Sequence, residues 1–147
     1  MPHAVIDIET QRAPQDALAY VADFSRSPEW DPSVQRARRL DDGLLGLGSR
    51  FELEVRAAGR TTTLVYEIVE WRVDRVVLLS RSDRLESRDT LTVTPRASGA
   101  VLRYDARLSA LGLARVMNPV LALVFRGLAS RAAEGLRTRL SDTSTAH

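Results

Sequence analysis

A chain of 147 residues that is 44% hydrophobic suits a single domain spanning 1–147 with a real core, and its composition excludes a disordered polypeptide. It has no cysteine, which excludes disulfides and thiolate metal sites; its two histidines, His3 and His147, stand at opposite ends, which argues against His-based catalysis and a His-rich metal site. The net charge of +2 comes from 21 arginines without a lysine, interspersed with acids and not with aromatics, so nucleic-acid recognition finds little support.

The N-terminal MPHAVIDIET lacks an apolar core of signal-peptide length. Residues Ala4 to Thr10 alternate, with Ile6 and Ile8 on one face and Asp7 and Glu9 on the other, as a half-buried strand does. Pro14 suits the first turn of a helix, and Ala17, Leu18, Tyr20, Val21 and Phe24 follow with helical spacing. Ser27-Pro28 predicts a short second helix capped by Ser27, with Trp30 anchoring it and Asp31-Pro32 ending it.

Val34 to Leu40 reads as an edge strand and Asp41-Asp42-Gly43 as a turn. Phe51, Leu53 and Val55 then alternate with Glu52, Glu54 and Arg56, the clearest strand in the chain. A hairpin turn at Ala57–Arg60 leads to strands at Thr61–Trp71, Val76–Ser80 and Arg84–Thr94. Leu85, Ser87, Asp89, Leu91 and Val93 share one face of the last of these. Residues Pro95 to Gly99 read as a turn, and Val101–Ser109 as the final strand, with Leu102, Tyr104, Ala106 and Leu108 on one face.

After a break at Gly112, one apolar-faced helix is expected from about Leu113 to Leu140. Leu121, Val124, Phe125, Leu128, Ala132 and Leu136 fall on one side of it; Arg126, Ser130, Glu134 and Arg137 fall on the other. Asn118-Pro119 predicts a kink or a fresh start there. The large residues of the first half are expected to anchor the fold, while the small Ala129, Ala132 and Gly135 border a cavity. The tail from 141 to 147 is polar and expected to fray. The apolar run Pro119–Phe125 is far short of the ~20 residues that span a bilayer, so no stable membrane insertion is expected, and the reading is a soluble, cytoplasmic protein.

Strand, two short helices, six strands in hairpin succession and a long helix make an α+β domain with antiparallel pairing. This order resembles the START-like (SRPBCC, helix-grip) superfamily, and within it the polyketide cyclase/dehydrase branch. The residues that carry the resemblance are Ala13-Pro14, Tyr20–Phe24, Pro28–Pro32, Gly46–Phe51, Ser98-Gly99 and the closing apolar helix. The resemblance implies a seven-stranded antiparallel curved sheet wrapped around the C-terminal helix. It also implies a largely apolar cavity between them, with its mouth near the short helices and hairpin loops, taking small apolar or amphipathic molecules. Fold likeness alone does not settle activity.

Single residues carry competing readings. Trp30 is more simply a plug between the short helices and the sheet than a ligand-stacking group. Tyr104 points toward the helix, and its hydroxyl needs either a ligand or a neighbouring strand group; Tyr66 lies on a strand that is apolar on both faces. An inward Asp89, beside Ser87, must be paired with an arginine, sit in a wet pocket or be turned outward by a bulge, since an unpaired buried carboxylate is costly. Glu52 and Glu54 read as a solvated sheet face. Arg115, Arg126 and Arg137 form a stripe that is more simply a solvent face than a membrane contact.

Three functions compete. The first is binding of a small hydrophobic or amphipathic molecule such as a lipid, a quinone or a polyketide-like compound. The second is a cyclase, aromatase or dehydratase that uses Asp89 and Tyr104 as its polar groups. The third is a lipid-dependent partner- or membrane-associating protein. Candidate ligand-binding residues are Trp30, Phe51, Leu53, Tyr66, Asp89, Leu91, Leu102, Tyr104, Phe125, Leu128 and Ala132; no cofactor and no metal are expected, and the oligomeric state stays open. An acid and hydrogen-bond donors converging inside the cavity favour the enzyme, whereas an aliphatic wall with polar atoms only at the mouth favours the carrier.

Overall fold

The computed structural model describes residues 3–57, 59–83, 85–110 and 118–141, with side chains from 3–57, 59–83, 85–109 and 125–141. The expected break at Gly112, the helix start at Leu113, Arg115, the side chains of Leu121 and Val124, and the tail beyond Ser141 lie outside the described residues.

Strands β1 (His3–Thr10), β2 (Val34–Arg39), β3 (Arg50–Ala57), β4 (Arg60–Trp71), β5 (Arg75–Arg81), β6 (Leu85–Arg96) and β7 (Gly99–Ala110) form one sheet. Its order is β1-β7-β6-β5-β4-β3-β2, antiparallel throughout. The curved sheet with its C-terminal helix is the expected helix-grip fold. Every strand after β2 pairs with its predecessor in the chain, across short turns from β3 onward and across the longer loop 40–49 between β2 and β3. Outward ion pairs run across it, including Asp7–Arg103, Glu52–Arg38 and Glu86–Arg81.

Helix α1 (Pro14–Ala22) carries Pro14 in its first turn and buries Ala17, Leu18, Tyr20, Val21 and Ala22. A 3-10 helix, Phe24–Glu29, follows it. Its cap is Asp23, whose carboxylate accepts from the Ser25 N–H at 3.2 Å, and not Ser27 as the sequence suggested. Ser27 sits inside that helix and turns its hydroxyl back onto the Phe24 carbonyl at 2.7 Å. The expected five-residue turn between the last strands also contracts. Pro95 pairs with Ala100 and Arg96 with Gly99, which leaves Ala97-Ser98 at the tip. Gly99 has φ +115°, and a Cβ there would lie 2.0 Å from the Thr10 carbonyl oxygen, so only glycine fits.

Helix α2 (Asn118–Ser141) lies against β1 and the Trp30 turn. Its C-terminal end is tied down: Thr10 Oγ1 donates to the Leu140 carbonyl at 2.7 Å, Arg12 Nη2 donates to the Arg139 carbonyl at 2.9 Å, and Arg139 Nε donates to the Glu29 carbonyl at 2.9 Å. Ala133, Leu136 and Leu140 are buried there, and each such leucine contributes about 1.5–3 kcal/mol. The expected division of the helix holds for Ala129 and Ala132, which border the cavity, and fails elsewhere. Its late turns anchor the fold, while the half-buried Phe125 and Leu128 border open space.

Candidate functional site

The inward residues of each strand divide along its length. At one end Ile8, Phe51, Ile68, Leu78, Leu91 and Leu102 pack into the core with α1 and the 3-10 helix. At the other end the inward residues face a cavity of about 240 Å³. Its walls are Ala4 and Ile6 of β1, Leu53 and Val55 of β3, Leu64 of β4, Leu108 of β7, and Phe125, Leu128, Ala129 and Ala132 of α2. Ala57, Thr62 and Leu85 place it toward the β3–β4 and β5–β6 hairpins, and Ser27, Trp30, Asp31 and Ser33 supply the side next to the short helices.

The boundary between filled core and cavity is polar. Tyr66, Ser80, Ser87, Asp89 and Tyr104 lie along it on four adjacent strands. Strand register places them: Tyr66 is opposite Ser80, Ser80 opposite Ser87, and Leu91 opposite Tyr104. The alternation of β6 continues without a bulge, so Ser87 and Asp89 both face inward. The irregularities fall elsewhere, between Val34 and Arg36 and between Ile68 and Glu70.

Asp89 is the centre of this cluster. The Tyr104 hydroxyl donates to Asp89 Oδ2 at 2.5 Å, and the Ser87 hydroxyl donates to Oδ1 at 3.2 Å. The Tyr66 hydroxyl in turn donates to Ser87 Oγ at 3.1 Å. Among the described residues no arginine bonds this carboxylate and no bulge turns it outward; hydroxyls satisfy it inside the cavity. Burial pushes its pKa up to about 6; the bonds from Tyr104 and Ser87 act against that rise, and the charges of Asp31 and Asp105 add to it. Burial, then the charge of Asp89, raises the Tyr104 and Tyr66 hydroxyls above the usual phenol range.

Asp31 is a second acid at the cavity. It accepts from the Ser33 N–H at 2.9 Å and the Ser33 hydroxyl at 2.7 Å. Burial raises its pKa, against the lowering effects of the Ser33 bonds and the nearby Arg131. Trp30 is 4% exposed and meets Phe24 and Tyr104 edge-on, with ring centroids 6.4 and 5.9 Å away, so it fills core and faces the cavity at once.

Of the residues singled out from sequence, Trp30, Leu53, Tyr66, Asp89, Tyr104, Phe125, Leu128 and Ala132 line the cavity. Phe51, Leu91 and Leu102 do not. They share the inward face but lie on its filled side, each fully buried, with Phe24 against Phe51 at 6.1 Å. Periodicity missed Ser27, Asp31, Ser33 and Ser80. Ser27 lies in a short 3-10 helix and Asp31 and Ser33 in the turn after it, too brief for a repeating face, and Ser80 lies in a strand that is otherwise apolar between its terminal arginines. Gly135 does not leave room, as its size suggested: a Cβ there would lie 1.9 Å from the Trp30 carbonyl oxygen. Among the described residues there is no group of three or more histidines and acids able to hold a metal, and no helix is long and apolar enough to cross a membrane.

A family model described as polyketide cyclase/dehydrase and lipid transport matches residues 1–141. Among solved structures, the chain is similar to a START superfamily protein from Mycobacterium smegmatis, at 15% identity and a TM-score of 0.74 over 94% of both chains. It is also similar to the Zhui aromatase/cyclase from Streptomyces sp. R1128, at 13% identity and a TM-score of 0.71 over 94% of this chain and 92% of that one. A protein from Thermus thermophilus gives 14% identity and a TM-score of 0.74 over 95% of each. A search of curated proteins finds no match.

Proposed function

We propose, for a chain that belongs to the polyketide cyclase/dehydrase and lipid transport family, that its task is to bind one small, mainly apolar molecule between the sheet and α2. The observation that carries this is the cavity of about 240 Å³, walled by aliphatic and aromatic side chains and closed at its deep end by Tyr66, Ser87, Asp89 and Tyr104. An engineered apolar cavity of about 150 Å³ holds a benzene, so this one suits a body of about two fused rings. Trp30, Leu53, Phe125, Leu128 and Ala132 supply apolar contact, and the hydroxyl–carboxylate cluster orients one polar group.

A second reading is favoured by one feature. The polar groups converge inside the cavity and are not confined to its rim, and Asp89 has a pKa pushed up to about 6. A carboxyl so placed can exchange a proton with a bound molecule near neutral pH, as a cyclisation or dehydration requires. In that reading Asp89 is the acid/base and Tyr104 holds it in position.

The test is fluorescence titration with N-phenyl-1-naphthylamine, a neutral probe that brightens in apolar surroundings. The expected result is saturable one-to-one binding, lost in Ala132→Trp while circular dichroism shows that variant folded. Absence of saturable binding by the folded wild-type protein would overturn the reading. Turnover of a polyketide-like substrate that stops in Asp89→Asn, with binding retained, would establish the second reading over the first.

A further inference from the structure

The deep end of the cavity has almost no hydrogen left to give. A hydroxyl carries one hydrogen. Tyr104 commits its hydrogen to Asp89 Oδ2, and Ser87 commits its own to Oδ1. Ser87 can then only accept from Tyr66, which commits the third. What these groups present to the cavity are lone pairs on a carboxylate and on two phenol oxygens.

The same holds near the short helices. The Ser27 hydroxyl gives its hydrogen to the Phe24 carbonyl, and the Ser33 hydroxyl gives its own to Asp31. Two donors keep their hydrogen: the Trp30 Nε1–H, buried without a partner and with essentially no accessible surface, and Ser80, opposite both Tyr66 and Ser87. Ser80 is buried at the cavity, and its hydroxyl has no hydrogen-bond partner among the described residues. The charge balance points the same way. Asp31 and Asp89 line the cavity, and no arginine or histidine does so among the described residues.

We propose that the ligand's polar end is a neutral hydroxyl, an alcohol or phenol on an apolar body, which donates its hydrogen to Asp89 and accepts from Ser80. This rests on the binding reading above and deepens it. A ketone or quinone would set its lone pairs against those of Asp89 and the tyrosines and would find only the Ser80 hydrogen. A carboxylate or phosphate would bring a negative charge beside two acids with no cation on the cavity wall, Arg131 acting on Asp31 from outside the lining. The geometry therefore selects against fatty acids and quinones and in favour of hydroxylated rings.

Four naphthalenes test this by competition against bound N-phenyl-1-naphthylamine at pH 8: naphthalene itself, 2-naphthol, 2-acetylnaphthalene and 2-naphthoate. The body is constant, and only the polar group changes. In the wild-type protein 2-naphthol is expected to compete at a concentration at least about tenfold below that of naphthalene, the scale of one hydrogen bond to a charged group. The ketone and the carboxylate gain nothing over naphthalene. In Asp89→Asn the advantage of 2-naphthol falls below about threefold. A ketone or carboxylate that matches 2-naphthol in the wild-type protein overturns the assignment, as does an unchanged preference in Asp89→Asn. Four equal competitors overturn the hydroxyl while leaving the cavity reading standing; no competition by any of them, with no saturable binding of the probe, overturns both.

Discussion

Substituting Gly135 tests how α2 is seated. On an exposed helix surface Gly→Ala stabilises by about 1 kcal/mol, because alanine loses less backbone freedom. Here the added methyl would lie 1.9 Å from the Trp30 carbonyl oxygen and 2.8 Å from its carbon, and both are backbone atoms that no rotamer change can move. Relief requires the helix to withdraw by more than about an ångström to reach ordinary contact, which loosens the Arg139–Glu29 bond and the packing of Trp30. Overpacking of this kind costs about 1–3 kcal/mol, and parting the helix from the Trp30 turn puts the cost at the upper end of that range. Set against the propensity gain, Gly135→Ala is expected to destabilise by about 2 kcal/mol, a fall in Tm of about 4–8 °C. Urea denaturation followed by circular dichroism measures it. A variant as stable as the wild-type protein, or more so, would refute the close approach and return Gly135 to the role of an ordinary helix glycine.

Other consequences are open to equally direct measurement. The folded-state pKa of Asp89, about 6, lies above the ordinary 3.8, so the folded protein holds that proton more tightly than the unfolded chain. Its contribution is full below about pH 4, declines as pH rises to about 6 and stays constant above about 7. The stability of the wild-type protein relative to Asp89→Asn is therefore expected to fall by up to about 3 kcal/mol across that window, with Tyr104, Ser87, Asp31 and Asp105 the groups that bear on the carboxyl. Urea midpoints of both proteins from about pH 4 to 8 give this difference, and a flat difference would sink the buried-acid assignment. Thr10→Val keeps the shape of the side chain but removes the donor to the Leu140 carbonyl. The orphaned carbonyl is expected to cost about 1–2 kcal/mol, read by the same method, and an unchanged Tm would show that water satisfies it.

Most strands and the inward face of β6 were legible in the sequence because a period of two is a strong signal where no bulge interrupts it. Ser87 and Asp89 could be placed beside Leu91 and Val93 for that reason. The same period says nothing about depth. Leu53 and Phe51 stand two residues apart on one face, yet the first borders the cavity and the second is core, with the Phe24 ring 6.1 Å from its own. The inward face is visible strand by strand; the line at which α1 and the 3-10 helix stop filling it is a tertiary fact. Caps were harder still. Asp23 and Ser27 both qualify as helix starts, and which one serves depends on where the Ser27 hydroxyl turns. Gly135 shows the limit most plainly, since a small residue reads the same from sequence whether it leaves a gap or receives a backbone.

The ion pairs on the outer surface of the sheet gain meaning from what lies beneath them. Each is exposed and screened by water, too weak to hold the domain together. Yet Glu86 pairs with Arg81 one step from the Ser80–Ser87 pair, and Asp7 pairs with Arg103 one step from Tyr104. Sliding either strand by a single residue would break these contacts and carry charges into the interior while sending Ile6, or Asp89 itself, out to water. The charges on the wet side thus act as an alignment key. They spend their small energies on excluding misthreaded sheets, and the aim of the buried acid is set from the far side of the wall it stands on.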